Sequence, residues 1–254
     1  MQTNNEIFTR VDRLLGKDFL DKIQHKRVIV FGVGGVGSWC AECLIRTGIK
    51  HLTIVDADVV ATSNINRQIM ATTKTIGHVK VEALKQRLLE IIPEADIIPI
   101  HDLFTRNNAE TFNLESYDYI IDAIDSLKDK AELILMACKT KAVFFASMGA
   151  ALKIDPTRIK VDSFWNVKGD PLARALRRIF KKNKTFPEKK FLCVYSDELL
   201  TNKGQTSEPT DISFKTDDEV QRIVKAQVNG SLAHITAIFG NTLAGLVIQH
   251  IANS

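Results

Sequence analysis

The feature that most constrains this chain is a short β-forming run, Arg27-Val-Ile-Val-Phe31, passing directly into Gly32-Val-Gly34-Gly35-Val-Gly37 and then into a segment with helical spacing. Glycines are needed there because the backbone must turn tightly and approach a ligand with no Cβ in the way. The helix that follows offers exposed first-turn amides and the positive end of its dipole, which together hold a phosphate. A carboxylate, Asp56, ends the next β-forming run, His51-Leu-Thr-Ile-Val55, about twenty residues further on, where it can accept hydrogen bonds from a ribose. These elements in this order predict nucleotide binding, without choosing between a nicotinamide dinucleotide and ATP.

The rest of the chain fits the fold such a loop requires. With 254 residues, 45% hydrophobic and 25% charged, it can bury a full α/β core. Further β-forming runs at Ile97–Ile100, Tyr117–Ile121 and Val143–Ala146 alternate with helical patterns at Val36–Thr47, His78–Ile91, Arg106–Phe112 and Leu127–Thr140. This predicts an α/β fold, a doubly wound, Rossmann-like, mainly parallel sheet over residues 1–150, forming the nucleotide-binding core. Residues 151–254 make an elaborated C-terminal part. In it we expect two extended segments around the Asp155-Pro156 turn, a helix over Pro171–Lys182, a strand over Phe191–Tyr195, a mobile loop over Asp197–Asp218 and a closing helix over Ser231–Ala252.

The residues after Asp56 bear on the choice of nucleotide. Asp58, Asn64, Arg67 and then Lys80, at the start of the next helix, bring two fixed positive charges toward the phosphates. Displacement at phosphorus needs such charges as pyrophosphate leaves, and hydride transfer does not. Asp122 and Asp125 end the fourth strand at the sheet's carboxyl edge, and Asp125 is the candidate ligand for Mg²⁺, which takes one or two carboxylates with phosphate oxygens and water. Taken singly, Arg67 and Lys80 also read as surface charges, Asp122 as a helix cap and Asp58 as a turn former.

Gly-x-Gly-Gly-x-Gly, Asp-x-Asp, Ser-Asn-x-x-Arg-Gln and a helix-opening lysine, within residues 10–150, together resemble the adenylating family of ubiquitin-activating enzymes and bacterial ThiF and MoeB proteins. The resemblance implies that Gly32, Gly34, Gly35, Gly37, Asp56, Asp58, Asn64, Arg67 and Lys80 bind ATP and that Asp125 positions magnesium. It also implies a homodimer in which Arg10 reaches the neighbouring subunit's nucleotide, so Arg10, Arg67, Lys80 and Asp125 become the catalytic candidates.

Sulfur-carrier members of the family usually hold a structural zinc on two Cys-x-x-Cys pairs. This chain has one such pair, Cys40 and Cys43, inside a helical segment, so we expect no structural zinc. Asp122–Ser126, Lys153–Arg158, Asp170–Ala173, Cys193–Ser196 and Asn229–Ser231 instead resemble the branch of tRNA threonylcarbamoyladenosine dehydratases. That branch implies ATP-dependent cyclisation of the modified nucleoside through an acyl-adenylate, with tRNA as partner and a sulfur-relay protein as a further candidate partner. Adenylation of a small sulfur-carrier protein is the alternative, and an NAD-dependent oxidoreductase or a catalytically silent binding module are others. Cys193 is the one thiol whose position could bring it to the site as a nucleophile, against the alternative of a buried strand cysteine, and a nucleophile supplied by the substrate makes a catalytic cysteine unnecessary.

The net charge of +4 permits an anionic partner without demanding one, so its distribution matters more. Arg174, Arg177, Arg178, Lys181 and Lys182 crowd one predicted helix and are the candidate tRNA contacts, against the alternative of a solvated helix face. Four cysteines and a polar N-terminus suggest a reduced, cytoplasmic protein. The apolar closing helix leaves membrane association open by length, but polar interruptions at His234, Asn241, Gln249 and His250 favour a buried helix.

Overall fold

In a computed structural model, which describes residues 6–204, 210–214, 222–226 and 229–254, seven strands form one sheet. The chain opens with helices α1 (Thr9–Leu15) and α2 (Lys17–Gln24). It then runs β1 (Arg27–Phe31), α3 (Gly37–Thr47), β2 (His51–Val55), α4 (Lys80–Ile91), β3 (Asp96–Ile100), β4 (Tyr119–Asp122), α5 (Leu127–Ala137) and β5 (Val143–Ser147). The remainder gives β6 (Ile159–Ser163), α6 (Pro171–Asn183), β7 (Leu192–Ser196), β8 (Thr210–Phe214), β9 (Arg222–Ala226) and α7 (Ala233–Ala252).

The sheet order is β3-β2-β1-β4-β5-β7-β6, with every pair parallel except β6 against β7. β1 and β2 pair from Arg27 with His51 to Phe31 with Val55, and β1 and β4 from Val28 with Tyr119 to Phe31 with Asp122. The order reverses between β1 and β4, which opens a crevice at their carboxyl ends. Because β6 and β7 join the same sheet, the sheet runs across residue 150 and no structural break falls there. Pro99, which cannot donate to a ladder, stands on the edge strand β3.

Strand alternation builds a core on each face. Val28, Val30, Leu52, Ile54, Ile121 and Val194 point to the side covered by α2, α3, α4 and α7. Ile29, Phe31, Ile120, Phe144, Ala146 and Cys193 point to the side covered by α5 and α6. α7 buries Ile235, Phe239, Gly240, Leu243, Ala244, Val247 and Ile251, a stripe at helical spacing. Gly240 lets it approach α3 closely, since a Cβ there would stand 2.3 Å from the Val36 carbonyl oxygen and 2.9 Å from the Cys40 nitrogen. α7 is long and apolar enough to cross a membrane, but it is seated on α3, as its reading as a buried helix anticipates.

Three local expectations are corrected. The helix expected over Arg106–Phe112 is a short 3₁₀ turn, Ala109–Phe112, that tucks Phe112 against Phe31 and Phe104. The extended pair around Asp155-Pro156 is one strand, β6, preceded by a 3₁₀ turn at Pro156–Arg158, because the Asp155 carboxylate accepts the Thr157 amide and turns the chain. Within the expected loop, Thr210–Phe214 is a strand paired antiparallel with β9, and residues 205–209 and 215–218 lie outside the described residues.

Candidate active site

The crevice between β1 and β4 is built first from backbone. Gly32 has φ +81° and a Cβ there would meet the Ala123 carbonyl oxygen at 2.7 Å, while one on Gly37 would lie 1.8 Å from the Gly32 carbonyl oxygen. The loop therefore closes on itself and on the chain after β4, and side chains at these two positions are sterically barred. At Gly35 a Cβ would press on Thr236 of α7 and on the Arg67 side chain, so this glycine brings the closing helix and Arg67 up to the loop. The first turn of α3 then follows without a side-chain cap, with the Ser38 amide donating to the Gly34 carbonyl at 3.2 Å.

Asp56 buttresses the loop. Its Oδ2 accepts the Val33 amide at 2.8 Å and its Oδ1 the Asp58 amide at 3.0 Å. Burial raises its pKa, against the lowering effect of nearby Lys80 and these amides. Lys80 is itself buried, with Nζ 2.7 Å from Asp58 Oδ2 and 3.9 Å from Asp56 Oδ1. Asp58 is exposed, so the pair is open to water on the carboxylate side while the lysine is buried.

Arg67 is fixed from both ends. The Trp39 indole donates to its carbonyl at 3.0 Å, and its Nη1 donates to the Ser63 carbonyl at 2.9 Å and to Asn66 Oδ1 at 2.8 Å. Asn64 accepts the Ala61 amide at 3.0 Å and shapes the turn carrying Arg67. Asp56 and Arg67 thus reach the glycine loop directly, Lys80 stands beside Asp56 and bridges to Asp58, and Asn64 shapes the turn before Arg67. Arg10 does not join them: it is exposed on α1 and makes no hydrogen bond or ion pair with these residues.

The two aspartates after β4 differ sharply. Asp125 is exposed at the carboxyl edge. Asp122, read from the sequence as a second edge carboxylate, is fully buried and paired with the equally buried Lys130 at 2.9 Å. Burial raises the pKa of Asp122, against the lowering effect of Lys130. Lys130 also donates to the Ile124 carbonyl at 2.9 Å and so fixes the loop that carries Asp125. Gln68, one residue beyond Arg67, is buried with its Oε1 lacking a partner, and its Nε2 lies 3.7 Å from where a Cβ on Gly34 would be. Sequence reasoning missed Gln68 and Lys130.

The cysteines are not poised for chemistry here. Cys193 is fully buried in β7, opposite Ala146 and Asp162, and burial pushes its thiol well up, so it is not the accessible nucleophile that its position suggested. Cys40 and Cys43 lie in α3, and burial raises both thiols. At the same edge, Asp170 caps α6 through the Ala173 amide and also accepts the Gly149 amide at 3.1 Å, which ties the start of the basic helix to the chain after β5. Arg174, Arg178, Lys181 and Lys182 are exposed on that helix and, with Arg177, line one shallow depression. Arg177 is partly committed to structure, donating to the Phe164 carbonyl at 2.8 Å.

A glycine loop at the switch point of a parallel sheet, with a buttressing carboxylate, an arginine packed on the loop and a lysine beside that carboxylate, is the frame of a nucleotide-dependent adenylating protein, and the chain belongs to the ThiF family, whose model matches residues 9–254. It is similar to the tRNA threonylcarbamoyladenosine dehydratase of Bacillus subtilis, 32% identical over 245 residues, covering 96% of this chain and 94% of that one. It is also similar to the Escherichia coli enzyme, 36% identical over 234 residues, covering 90% and 87%. The crystal structure of Escherichia coli tRNA N6-threonylcarbamoyladenosine dehydratase in complex with ATP superposes with a TM-score of 0.84 at 31% identity, covering 99% of this chain and 96% of that one.

Proposed function

We propose that the protein uses ATP to cyclise threonylcarbamoyladenosine in tRNA. The observation that carries this reading is the packing of Arg67 against a glycine loop buttressed by Asp56, with buried Lys80 beside that carboxylate. The threonyl carboxylate attacks the α-phosphorus of ATP, the bond to the β-phosphate bridging oxygen breaks, and pyrophosphate leaves. The carbamoyl group of the same nucleoside then attacks the acyl carbon, losing a proton to solvent, and AMP departs with the former carboxylate oxygen. The net change is loss of water with no hydroxide leaving group.

In this reading the α3 amides and the Gly34–Gly35 backbone hold the phosphates, Asp56 takes the ribose, and Arg67 and Lys80 balance the charge that builds as pyrophosphate separates. Asp125 would hold a magnesium ion brought with the triphosphate, an ion suited to a single protein carboxylate plus phosphate oxygens and one that neutralises the departing pyrophosphate. Because the second nucleophile belongs to the substrate, buried Cys193 has no step to carry. The same reading includes a homodimer in which Arg10 serves the neighbouring nucleotide, a cytoplasmic location with the tRNA, and the basic face of α6 as the RNA contact.

The test is to incubate the purified protein with ATP, Mg²⁺ and tRNA bearing threonylcarbamoyladenosine and to follow AMP together with loss of water from the nucleoside. AMP formed only with a small carrier protein would instead make it a sulfur-carrier adenylyltransferase, and absence of ATP turnover would end the adenylation reading. Asp125→Ala and Arg67→Ala should each lower AMP formation by about a hundredfold or more with the far-ultraviolet circular dichroism unchanged.

A further inference from the structure

Beyond its positive charge, the basic helix ends beside exposed aromatic surface. Trp165 and Phe186 are 41% and 51% exposed, large values for rings of this size, and their centroids lie 6.1 Å apart at a 45° tilt. Buried Phe164 backs Trp165, which packs edge-on to it at 5.2 Å, and Arg177 of α6 lies over the Phe164 ring at 5.7 Å. Phe186 follows α6 through Lys184, whose left-handed backbone (φ 52°) turns the chain back. Phe186 thus follows the helix that carries Arg174, Arg178, Lys181 and Lys182, and Trp165 is linked to that helix through Phe164 and Arg177.

Apolar rings set in a cationic surface fit a ligand that carries both π-faces and phosphates. We propose that Trp165 and Phe186 form a stacking platform for an unpaired nucleobase of the RNA substrate, an inference that rests on the tRNA reading above. Stacking on aromatic rings beside a positive groove is a general mode of binding unpaired bases, and it needs no sequence readout. The platform does not hold the base that reacts. α6 starts at the carboxyl edge, where Asp170 meets Gly149, whereas Phe164 donates to the Phe191 carbonyl at the opposite end of β7. Phe164, on which Trp165 packs, therefore sits toward the amino end of the sheet, away from the crevice.

The experiment measures binding of an unmodified tRNA transcript, an RNA stem-loop and a blunt RNA duplex of equal length to the intact protein and to Trp165→Ala, Phe186→Ala and Trp165→Phe. Each alanine variant should weaken binding of tRNA and stem-loop about tenfold and leave duplex binding and the salt dependence unchanged, whereas Trp165→Phe, which keeps a ring, should bind both nearly as the wild type does. Sedimentation and circular dichroism on the same samples establish fold and assembly. Wild-type affinity for tRNA in both alanine variants overturns the platform while leaving the tRNA reading intact. Equal losses on duplex and stem-loop overturn base stacking, and altered oligomeric state in Trp165→Ala makes the patch a subunit contact. Failure of the wild-type protein to bind any tRNA removes both readings.

Discussion

Lys130 and Asp122 show how a charge can be hidden in the frame of a site. Both side chains are fully buried, and Asp122 Oδ2 has no hydrogen-bond partner, so the pair is sustained by one contact and by the Ile124 amide and carbonyl. Lys130→Met should cost about 3–5 kcal/mol in chemical denaturation, since it strands a buried charge, while Asp122→Asn combined with Lys130→Met should recover much of that. The pH dependence has a definite sign. Burial already raises Asp122, and removing the lysine raises it further, so the penalty should be smallest in acid, where Asp122 is neutral, and grow as pH rises through its folded value. A loss independent of pH would count against the pair. The sequence carried a signal for this lysine: Lys130, Ala131, Leu133, Ile134 and Ala137 are the buried stripe of α5, and a lysine in a core stripe needs a buried partner. Asp56, Arg67 and Lys80 were legible because their motif spacing places them on one crevice. The burial of Asp122 was not, because it depends on what α5 covers, whereas that of Cys193 follows its reading as a strand cysteine.

At the scale of elements, the strands were legible wherever an apolar run was buried on both faces, and β1, β2, β5 and β7 fall within a residue of their expected bounds. Reading failed where side chains redirect a short segment. Asn108, for instance, accepts from the Thr105 amide and hydroxyl and donates to the Leu103 carbonyl, winding the chain too tightly for the helix expected there. The approach of α7 to α3 was equally hidden, since a glycine in an apolar helix does not announce its neighbour. Gly240→Ala should cost about 1–3 kcal/mol, because the new methyl meets backbone on α3 rather than a side chain free to move. It should also weaken nucleotide binding, as α7 carries Thr236 against Gly35. Thermal unfolding with and without ATP separates these effects, and a variant as stable as wild type would show that the helices part without penalty.

For the whole molecule, the distribution of charge matters more than its total. A net +4 on 254 residues is modest, yet five cations of α6 share one depression, and Asp170 ties the start of that helix to the edge where the crevice opens. A substrate held at that edge and extending along α6 meets positive charge over the length of the helix. Neutralising phosphates releases condensed ions, so log affinity should fall linearly with log salt, and each lost contact should reduce the slope by about one. Lys181→Ala and Lys182→Ala together should therefore flatten the salt dependence of tRNA binding by about two, with the largest loss of affinity at low salt. Turnover at saturating tRNA should be unchanged, since neither lysine lies at the nucleotide crevice. Arg177→Ala should behave differently, lowering the melting temperature as well, because its guanidinium also holds the Phe164 carbonyl. Titrations across a potassium chloride series measure the slopes. If replacing both lysines leaves the slope unaltered, the α6 cations are a solvated face and the RNA follows another path across the protein.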